Sequence, residues 1–206
     1  MTDDERRMYE YELYEQKMER LNSFRHSGDD AKRKPLDCNV WFIGDTHFFH
    51  SNIIKYCNRP FRDVFEMNEA MIDNWNKVVR KEDKVIMNGD FALCGKDKII
   101  EIGQRLNGRK TLILGNHDGA SLKTYYEAGF EYVSTYPIIF EDFYIISHQP
   151  QFVQSNGVYA NIYAHVHDNP EYTDCSSRSF CVSAERINYT PIEFNEIIRR
   201  MKDNDR

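Results

Sequence analysis

From residue 39 onward, short apolar runs alternate with longer segments in which apolar residues recur every three or four positions. The short runs are rich in β-branched and aromatic residues and end near a glycine, which predicts strands at 40–43, 84–87 and 110–114. The periodic segments predict helices over about 66–80 and 96–106. Alternating strands and helices indicate parallel strands whose carboxyl ends meet at one edge of a sheet.

The pattern changes after a predicted helix at 121–128, because the strands that follow are closely spaced. The spacing of apolar residues and the residue composition predict strands at 131–135, 137–140, 143–147, 159–164 and 179–184, with a hairpin turn at Glu141-Asp142. We expect a second sheet packed on the first. A last helix is predicted from Pro191 to Met201, with Thr190 as its N-cap and Glu193 completing a capping box. The predicted fold class is α/β, a two-sheet β-sandwich flanked by helices.

The first 36 residues differ from the rest, being dense in charge, tyrosine and methionine. Apolar spacing predicts a helix over about 3–22, with one face formed by Tyr11, Tyr14, Met18 and Leu21. Docking of this face on its own domain is favoured, although the same face would serve a homo-oligomer. The predicted organisation is therefore a charged N-terminal helix and linker, 1–36, followed by one main domain, 37–206.

Composition narrows the classes of function. No run approaches the roughly 20 apolar residues of a membrane span, and the N-terminus is unlike a signal peptide, so we expect a cytoplasmic protein with no membrane contact. The net charge of −6 argues against an extended nucleic-acid surface, which requires clustered lysine and arginine. The five cysteines are odd in number and scattered, which predicts reduced thiols.

Candidate chemistry is concentrated in short polar clusters, each directly after a predicted strand, where glycine allows tight backbone bends. The clusters are Gly44-Asp45-Thr46-His47, Gly89-Asp90, Gly115-Asn116-His117-Asp118, Ser147-His148-Gln149-Pro150 and Ala164-His165-Val166-His167. Taken singly they have ordinary explanations, as turn formers or polar surface. Together they offer nitrogen and oxygen ligands at five strand ends that can meet in one crevice, enough to coordinate two metal ions. Imidazole with carboxylate suits Mn, Fe, Zn or Co and is not typical of a calcium site.

The order of these clusters between about Val40 and Ile192 resembles the calcineurin-like metallophosphoesterase superfamily. The stretch from Ile43 to Ile54, with Asn58-Arg59-Pro60-Phe61 after it, is similar to small stand-alone phosphoesterases of bacteria and phages. The resemblance implies a four-layer αββα sandwich. Two departures stand out: Ala164 replaces the usual glycine of the last motif, and the residues after Asp90 lack the arginine of the Ser/Thr protein phosphatase branch.

The resemblance implies a centre of two divalent transition-metal ions, manganese being expected and Fe, Zn, Co or Ni the alternatives. The implied ligands of the first metal are Asp45, His47, Asp90 and His167. Those of the second are Asp90, Asn116, His148 and His165, so that Asp90 bridges the two ions. A water shared by two such cations loses a proton near neutral pH, and the resulting bridging hydroxide is the expected nucleophile.

Five further residues have implied or alternative roles. By resemblance, His117 protonates the leaving oxygen, and its neighbour Asp118 orients it or keeps it charged. The alternative for Asp118 is a helix N-terminal residue that stabilises the turn before Ser121. His50 either contacts the substrate phosphate or caps the helix beginning near Ser51. Arg59 is a candidate phosphate clamp, as is Arg62, with surface ion pairing as the alternative for both.

The leading predicted function is hydrolysis of phosphomonoester or phosphodiester bonds in a small substrate, a nucleotide or cyclic nucleotide. The first alternative is a nuclease on short or single-stranded nucleic acid, which needs a basic groove leading to the metals. The second is a non-catalytic scaffold that binds a protein partner. The intact ligand set and His117 count against the scaffold.

Overall fold

The computed structural model describes residues 38–154, 157, 159–172 and 178–203. The predicted N-terminal helix over 3–22, and with it the predicted boundary at 36/37, lies outside the described residues.

Helices and strands alternate through the first half of the described chain, and strands dominate the second half. In chain order the elements are β1 (Val40–Ile43), α1 (Ser51–Tyr56), α2 (Val64–Val78), β2 (Lys84–Met87), α3 (Lys96–Arg105), β3 (Arg109–Ile113), α4 (Leu122–Glu127), β4 (Phe130–Ser134), β5 (Ile138–Phe140), β6 (Tyr144–Ile146), β7 (Ala160–Tyr163), β8 (Ser179–Cys181), a 3-10 helix (Ala184–Ile187), β9 (Ile192–Glu193) and α5 (Phe194–Asp203).

The first sheet has five strands in the order β4-β3-β2-β1-β9. Strands β1, β2 and β3 are parallel, as the alternation of strands and helices predicts. Strand β4 also pairs in parallel with β3, and β9 runs antiparallel to β1. Two features stabilise helix α2. Asp63 caps it by accepting from the N–H groups of Phe65 and Glu66, and its apolar face buries Trp75. The carboxyl ends of β1, β2 and β3 therefore meet at one edge.

The second sheet has four strands in the order β5-β6-β7-β8. The predicted hairpin is confirmed, because β5 and β6 are antiparallel and Glu141 and Asp142 both have positive φ, 51° and 53°. The placement of the predicted strand 131–135 in this sheet is wrong. That strand is β4, which pairs in parallel with β3 because α4 returns the chain to the edge of the first sheet.

The chain between 182 and 194 departs from the predicted elements. Ala184 begins a 3-10 helix where the strand was predicted to end, and the predicted capping box at Thr190 to Glu193 is wrong. Ile192 and Glu193 form β9 instead, opposite Phe42 and Trp41. Pairing there satisfies backbone groups of β1 that would otherwise form a sheet edge, and it buries Ile192. Helix α5 starts only at Phe194.

The two sheets share one apolar core, as the predicted sandwich requires. The Phe42 ring of β1 lies 5.8 Å from the rings of both Phe140 and Phe194. Ile146 and Ile162 from the second sheet are fully buried in the same core. No helix of the described part is long and apolar enough to cross a membrane.

Candidate metal centre

The loops that follow β1, β2, β3, β6 and β7 converge at one edge of the sandwich, and direct hydrogen bonds hold the two sheets together there. Asn88, at the end of β2, donates through Nδ2 to the carbonyls of Ser147 (2.9 Å) and Ile162 (3.0 Å) in the second sheet. Asp45 accepts through Oδ2 from the backbone N–H of His165 at 2.7 Å. Residues 120 positions apart thus become neighbours.

The glycines that open the first three clusters make room for these contacts. A Cβ on Gly44 would lie 2.4 Å from the Cβ of Ala164, and a Cβ on Gly115 would lie 2.2 Å from Oδ1 of Asp90. Only Gly89 has a positive φ, +81°. Close approach, and not a tight bend, therefore requires glycine at positions 44 and 115. The methyl group of Ala164 occupies the space that Gly44 leaves open.

Five of the expected ligands have left-handed backbone conformations that non-glycine residues seldom adopt. Their φ values lie between 50° and 74°, and the residues are Asp45, His47, Asp90, His165 and His167. Hydrogen bonds hold two of them in place: Asp45 N donates to the Gly89 carbonyl (3.0 Å) and His47 N to the Asp90 carbonyl (2.9 Å). Each such conformation costs on the order of 1–3 kcal/mol, and strain of this kind is concentrated at functional sites.

The first group of candidate ligands comprises Asp45, His47 and His167, whose ligand atoms all lie within 4.8 Å of one another. Oδ1 of Asp45 and Nε2 of His47 are buried without a hydrogen-bond partner among the described residues. Burial, followed by the nearby His167 and Arg59, lowers the pKa of His47 to about 2, so its imidazole is neutral. A neutral imidazole and an unpartnered carboxylate oxygen fit a metal ion, which needs lone pairs.

The second group comprises Asp90, His148 and His165, joined by Asn116. Nδ1 of His148 lies 2.8 Å from the carbonyl oxygen of Asn88. Because a carbonyl only accepts, Nδ1 carries a proton, and in the neutral imidazole that binds a metal Nε2 then presents a lone pair. That lone pair faces other acceptors, Oδ1 of Asn116 at 2.9 Å and Oδ2 of Asp90 at 3.5 Å. A cation among these atoms would turn this repulsion into attraction, so this group also fits a metal.

Asp90 lies between the two groups, as a bridging ligand must. Its Oδ2 is 3.4 Å from Nε2 of His47 and 3.5 Å from Nε2 of His148. Its Oδ1 accepts from the backbone N–H of His117 at 2.8 Å. One oxygen is therefore shared by both groups, and the other holds the loop that carries His117.

His117 and His50 lie beside the first group. The His117 side chain is exposed, and its ring lies 5.3 Å from that of His47 and 6.1 Å from that of His50. Nδ1 of His50 lies 3.3 Å from Nδ1 of His47. His50 is the N-cap residue of α1, as the capping alternative predicts, but its side chain makes no cap hydrogen bond. Its ring is next to that of Tyr56, a side chain that is 73% exposed.

The Asp118 side chain bonds to backbone groups, among them Gly115 in the turn before Ser121. Its buried carboxylate accepts from the backbone N–H groups of Asp90 (2.8 Å), Phe91 (2.9 Å) and Gly115 (2.9 Å). The loop after β3 is thereby fastened to the loop after β2, the two loops that carry the bridging ligand and Asn116. Ser121 caps α4 instead, by accepting from the N–H of Thr124. Asp118 therefore shapes the site through the backbone.

Arg59 is not placed to clamp a substrate, because its guanidinium group is fully buried. Its Nη1 and Nη2 donate to the carbonyls of Thr46 (2.9 Å) and Asp45 (2.7 Å), which fixes the loop after β1. Its Nε and Nη2 donate to Oε1 of Glu185 at 2.9 and 2.7 Å. For Arg62 the ion-pair alternative holds, since its exposed side chain pairs with Asp63.

Glu185 is the residue that sequence reasoning missed. Its Oε1 also lies 3.1 Å from Nδ1 of His167, and Cys57 lies within 4.8 Å of both residues. Burial disfavours the charged form, but the bond to His167 and the charge of Arg59 lower the pKa of Glu185 to about 2. One signal was available: Glu185 closely follows an apolar strand, as Asp45 and Asp90 do.

Two sheets that bring five ligand-bearing strand ends together define a metal-dependent phosphoesterase. The chain belongs to the calcineurin-like phosphoesterase family, whose model matches residues 38–198. This family uses a dinuclear metal centre, and the two groups of candidate ligands agree with it.

Two related sequences and one solved structure are similar to this chain. An uncharacterised protein of Methanocaldococcus jannaschii is 36% identical over 170 residues, which cover 78% of this chain and 89% of that protein. The Gene 66 protein of Mycobacterium phage L5 is 36% identical over 108 residues, covering 47% of this chain and 52% of that protein. The crystal structure of a protein of unknown function from Aquifex aeolicus aligns with a TM-score of 0.64 at 26% identity, covering 80% of this chain and all of that one.

Proposed function

We propose that this phosphoesterase hydrolyses a phosphomonoester or phosphodiester bond in a small substrate, with a nucleotide or cyclic nucleotide as the expected class. One observation carries the proposal: Asp90 joins two groups of candidate ligands, and the exposed ring of His117 lies beside them. Two cations bound there would polarise the phosphoryl oxygens and activate a water molecule.

The residues around the centre divide the remaining tasks. His117 donates a proton to the leaving oxygen, and the bond from its backbone N–H to Asp90 keeps it at a fixed distance from the ligands. His50, next to His47 and partly exposed, contacts a phosphoryl oxygen. Arg59 and Asp118 hold the loops and touch no substrate.

Manganese is the proposed metal, because the donor set mixes imidazole nitrogens with carboxylate and amide oxygens. Iron, zinc, cobalt and nickel share these preferences and are tested in parallel. The cytoplasmic location and a homo-oligomer through the N-terminal helix stay predictions from the sequence.

The nuclease alternative has one observation in its favour. Tyr56 exposes most of its ring beside His50, and exposed aromatic rings stack on the bases of single-stranded nucleic acid. Against it, the chain has a net charge of −6. Oligonucleotides are therefore included in the substrate panel.

The test is hydrolysis by the Mn²⁺-loaded protein of aryl phosphomonoesters and phosphodiesters, then of nucleotides, cyclic nucleotides and oligonucleotides. Replacing His117 by Ala should leave the metal content unchanged and slow substrates with poor leaving groups by a factor of about 10²–10⁴. His26→Ala is the matched control, since His26 lies in the N-terminal segment outside the family match. Equal rates for the two variants would remove His117 from the mechanism, and no hydrolysis of any ester would refute the proposed function.

A further inference from the structure

A cavity of about 330 Å³ opens beside the candidate metal centre, between the loop after β2 and the start of α4. His117 lines it, together with apolar and small residues from the two loops. We propose that this cavity binds the leaving group of the substrate, and that the leaving group carries a flat, uncharged ring such as the base of a nucleoside or an aryl group. The inference rests on the proposed function and names the part of the substrate that the site selects.

The position of His117 relates the cavity to the chemistry. The His117 ring lies 5.3 Å from that of His47 in the first ligand group, and the same side chain forms part of the cavity wall. An acid must come within hydrogen-bond reach of the oxygen it protonates. The leaving oxygen is therefore bound next to His117, and the group attached to that oxygen extends into the cavity.

The chemistry of the wall favours an uncharged ring. Ala92 and Ile99 are buried apolar residues, and Leu93 is an apolar residue that is 42% exposed. The two hydroxyl groups of the wall bond to each other, since Ser121 Oγ lies 3.0 Å from Thr124 Oγ1. A wall of this kind offers apolar contact and no free charge, which suits a ring better than a sugar-phosphate strand.

The one ammonium group of the wall is also engaged. Nζ of Lys96 lies 3.1 Å from a carboxylate oxygen of Glu127. A second phosphate in the cavity would compete with Glu127 for this ammonium group, whereas an uncharged ring would leave the pair intact. The cavity volume lies at the lower end of the range for small-molecule sites, about 300–1,000 Å³, so it accommodates one such ring system and not a long chain.

Gly119 provides a place to add a side chain at the cavity wall without a clash at its Cβ. It lines the cavity, a Cβ built on it meets nothing within 4 Å, and its φ is not positive. Gly119→Ala and Gly119→Leu therefore place side chains of increasing size in open space. Gly95→Ala is the matched control, because a Cβ there also meets nothing within 4 Å and Gly95 does not line the cavity.

The experiment compares kcat/KM for phenyl phosphate, whose leaving group is a ring, with kcat/KM for ethyl phosphate, whose leaving group is small. Bound manganese and thermal stability are measured for each variant. The Gly119→Leu variant should lose at least about tenfold more activity on phenyl phosphate than on ethyl phosphate, and Gly119→Ala should lose less. The Gly95→Ala variant should keep the wild-type ratio.

The outcomes separate this inference from the function on which it rests. If the wild type hydrolyses both esters and the Gly119 variants lower both rates equally, the ring does not bind in the cavity and the proposed function stands. The same conclusion follows if Gly95→Ala changes the ratio as much as Gly119→Ala does. If the metal-loaded wild type hydrolyses neither ester nor the nucleotides of the wider panel, both proposals are wrong. Should Gly119→Leu fail to fold, Gly119→Ala and Ala120→Val give the same comparison.

Discussion

Replacing Glu185 by Gln tests whether a residue outside the expected ligand set controls metal binding. Oε1 of Glu185 accepts from Arg59 at 2.7 and 2.9 Å and lies 3.1 Å from Nδ1 of His167, while Oε2 is buried without a partner among the described residues. A carboxylate on one nitrogen of a histidine makes the other nitrogen a better metal ligand and fixes the ring. Glutamine keeps the shape and the acceptor oxygen but removes the charge.

The size of the effect follows from this arrangement. Loss of such a partner typically costs 10- to 100-fold in metal affinity, which is about 1.4–2.7 kcal/mol at roughly 1.36 kcal/mol per decade. Glu185→Ala is the less informative change, because it leaves the Arg59 guanidinium buried without its partner. That loss costs about 3–5 kcal/mol of folding stability, so a metal effect could not be separated from unfolding.

The assay is calorimetric titration of Mn²⁺ into the metal-free protein at pH 7.5, with urea unfolding of each metal-free variant alongside it. Glu131→Gln is the matched control, since Glu131 also pairs with an arginine, Arg109, at 3.0 Å but on an exposed surface. We expect weaker Mn²⁺ binding for Glu185→Gln and wild-type binding for Glu131→Gln. Unchanged affinity at both sites in Glu185→Gln would show that the bond to His167 plays no part in metal binding.

Three further predictions concern stability. Gly44→Ala should lower the free energy of unfolding, measured in urea, by about 1–3 kcal/mol, because the added methyl group clashes with Ala164. Adding Ala164→Gly should restore part of this loss, and no recovery would contradict the packing argument. Asp118→Asn should lower the free energy of unfolding by about 1–3 kcal/mol, because an amide cannot accept all three of the backbone hydrogen bonds that the carboxylate accepts. A smaller loss than for an exposed Asp→Asn change would be inconsistent with that role. The pKa of His47 is lowered from 6.5 to about 2. The stability that depends on a neutral His47 is therefore complete above pH 6.5 and is lost as the pH falls towards 2. The metal-free protein should therefore lose about 1.2 kcal/mol more stability than His47→Asn between pH 6 and pH 5, and parallel unfolding profiles would refute this.

The fold was predictable where hydrophobic periodicity agreed with the final packing. Strands β1 and β2 match the predicted ranges, and helices α2 and α3 match theirs to within two residues. The misplaced elements are those whose partners are remote in sequence. Strand β4 joins the first sheet through β3, and β9 forms because β1 has a free edge, neither of which local pattern encodes.

The sequence by itself determined which residues carry the chemistry and the order in which they occur. Histidine, aspartate and asparagine stand after strands, and the ends of parallel strands converge by the geometry of the sheet, so the candidate ligands could be named from pattern and resemblance. The tertiary structure decided what the neighbouring charges do. Arg59 and Glu185 are 126 positions apart, and only folding reveals that they bind each other and not a substrate.

The physical reason is that a side chain's role depends on its burial and partners, which are properties of the packed chain. Gly44 and Gly115 illustrate this. The sequence predicts a strand end at each glycine, but only the packed sheets show the close contacts that exclude a Cβ there. The opening of the cavity beside His117 likewise depends on how two loops from different strands lie against each other. Residue identity therefore fixed the available chemistry, and packing fixed where each group acts.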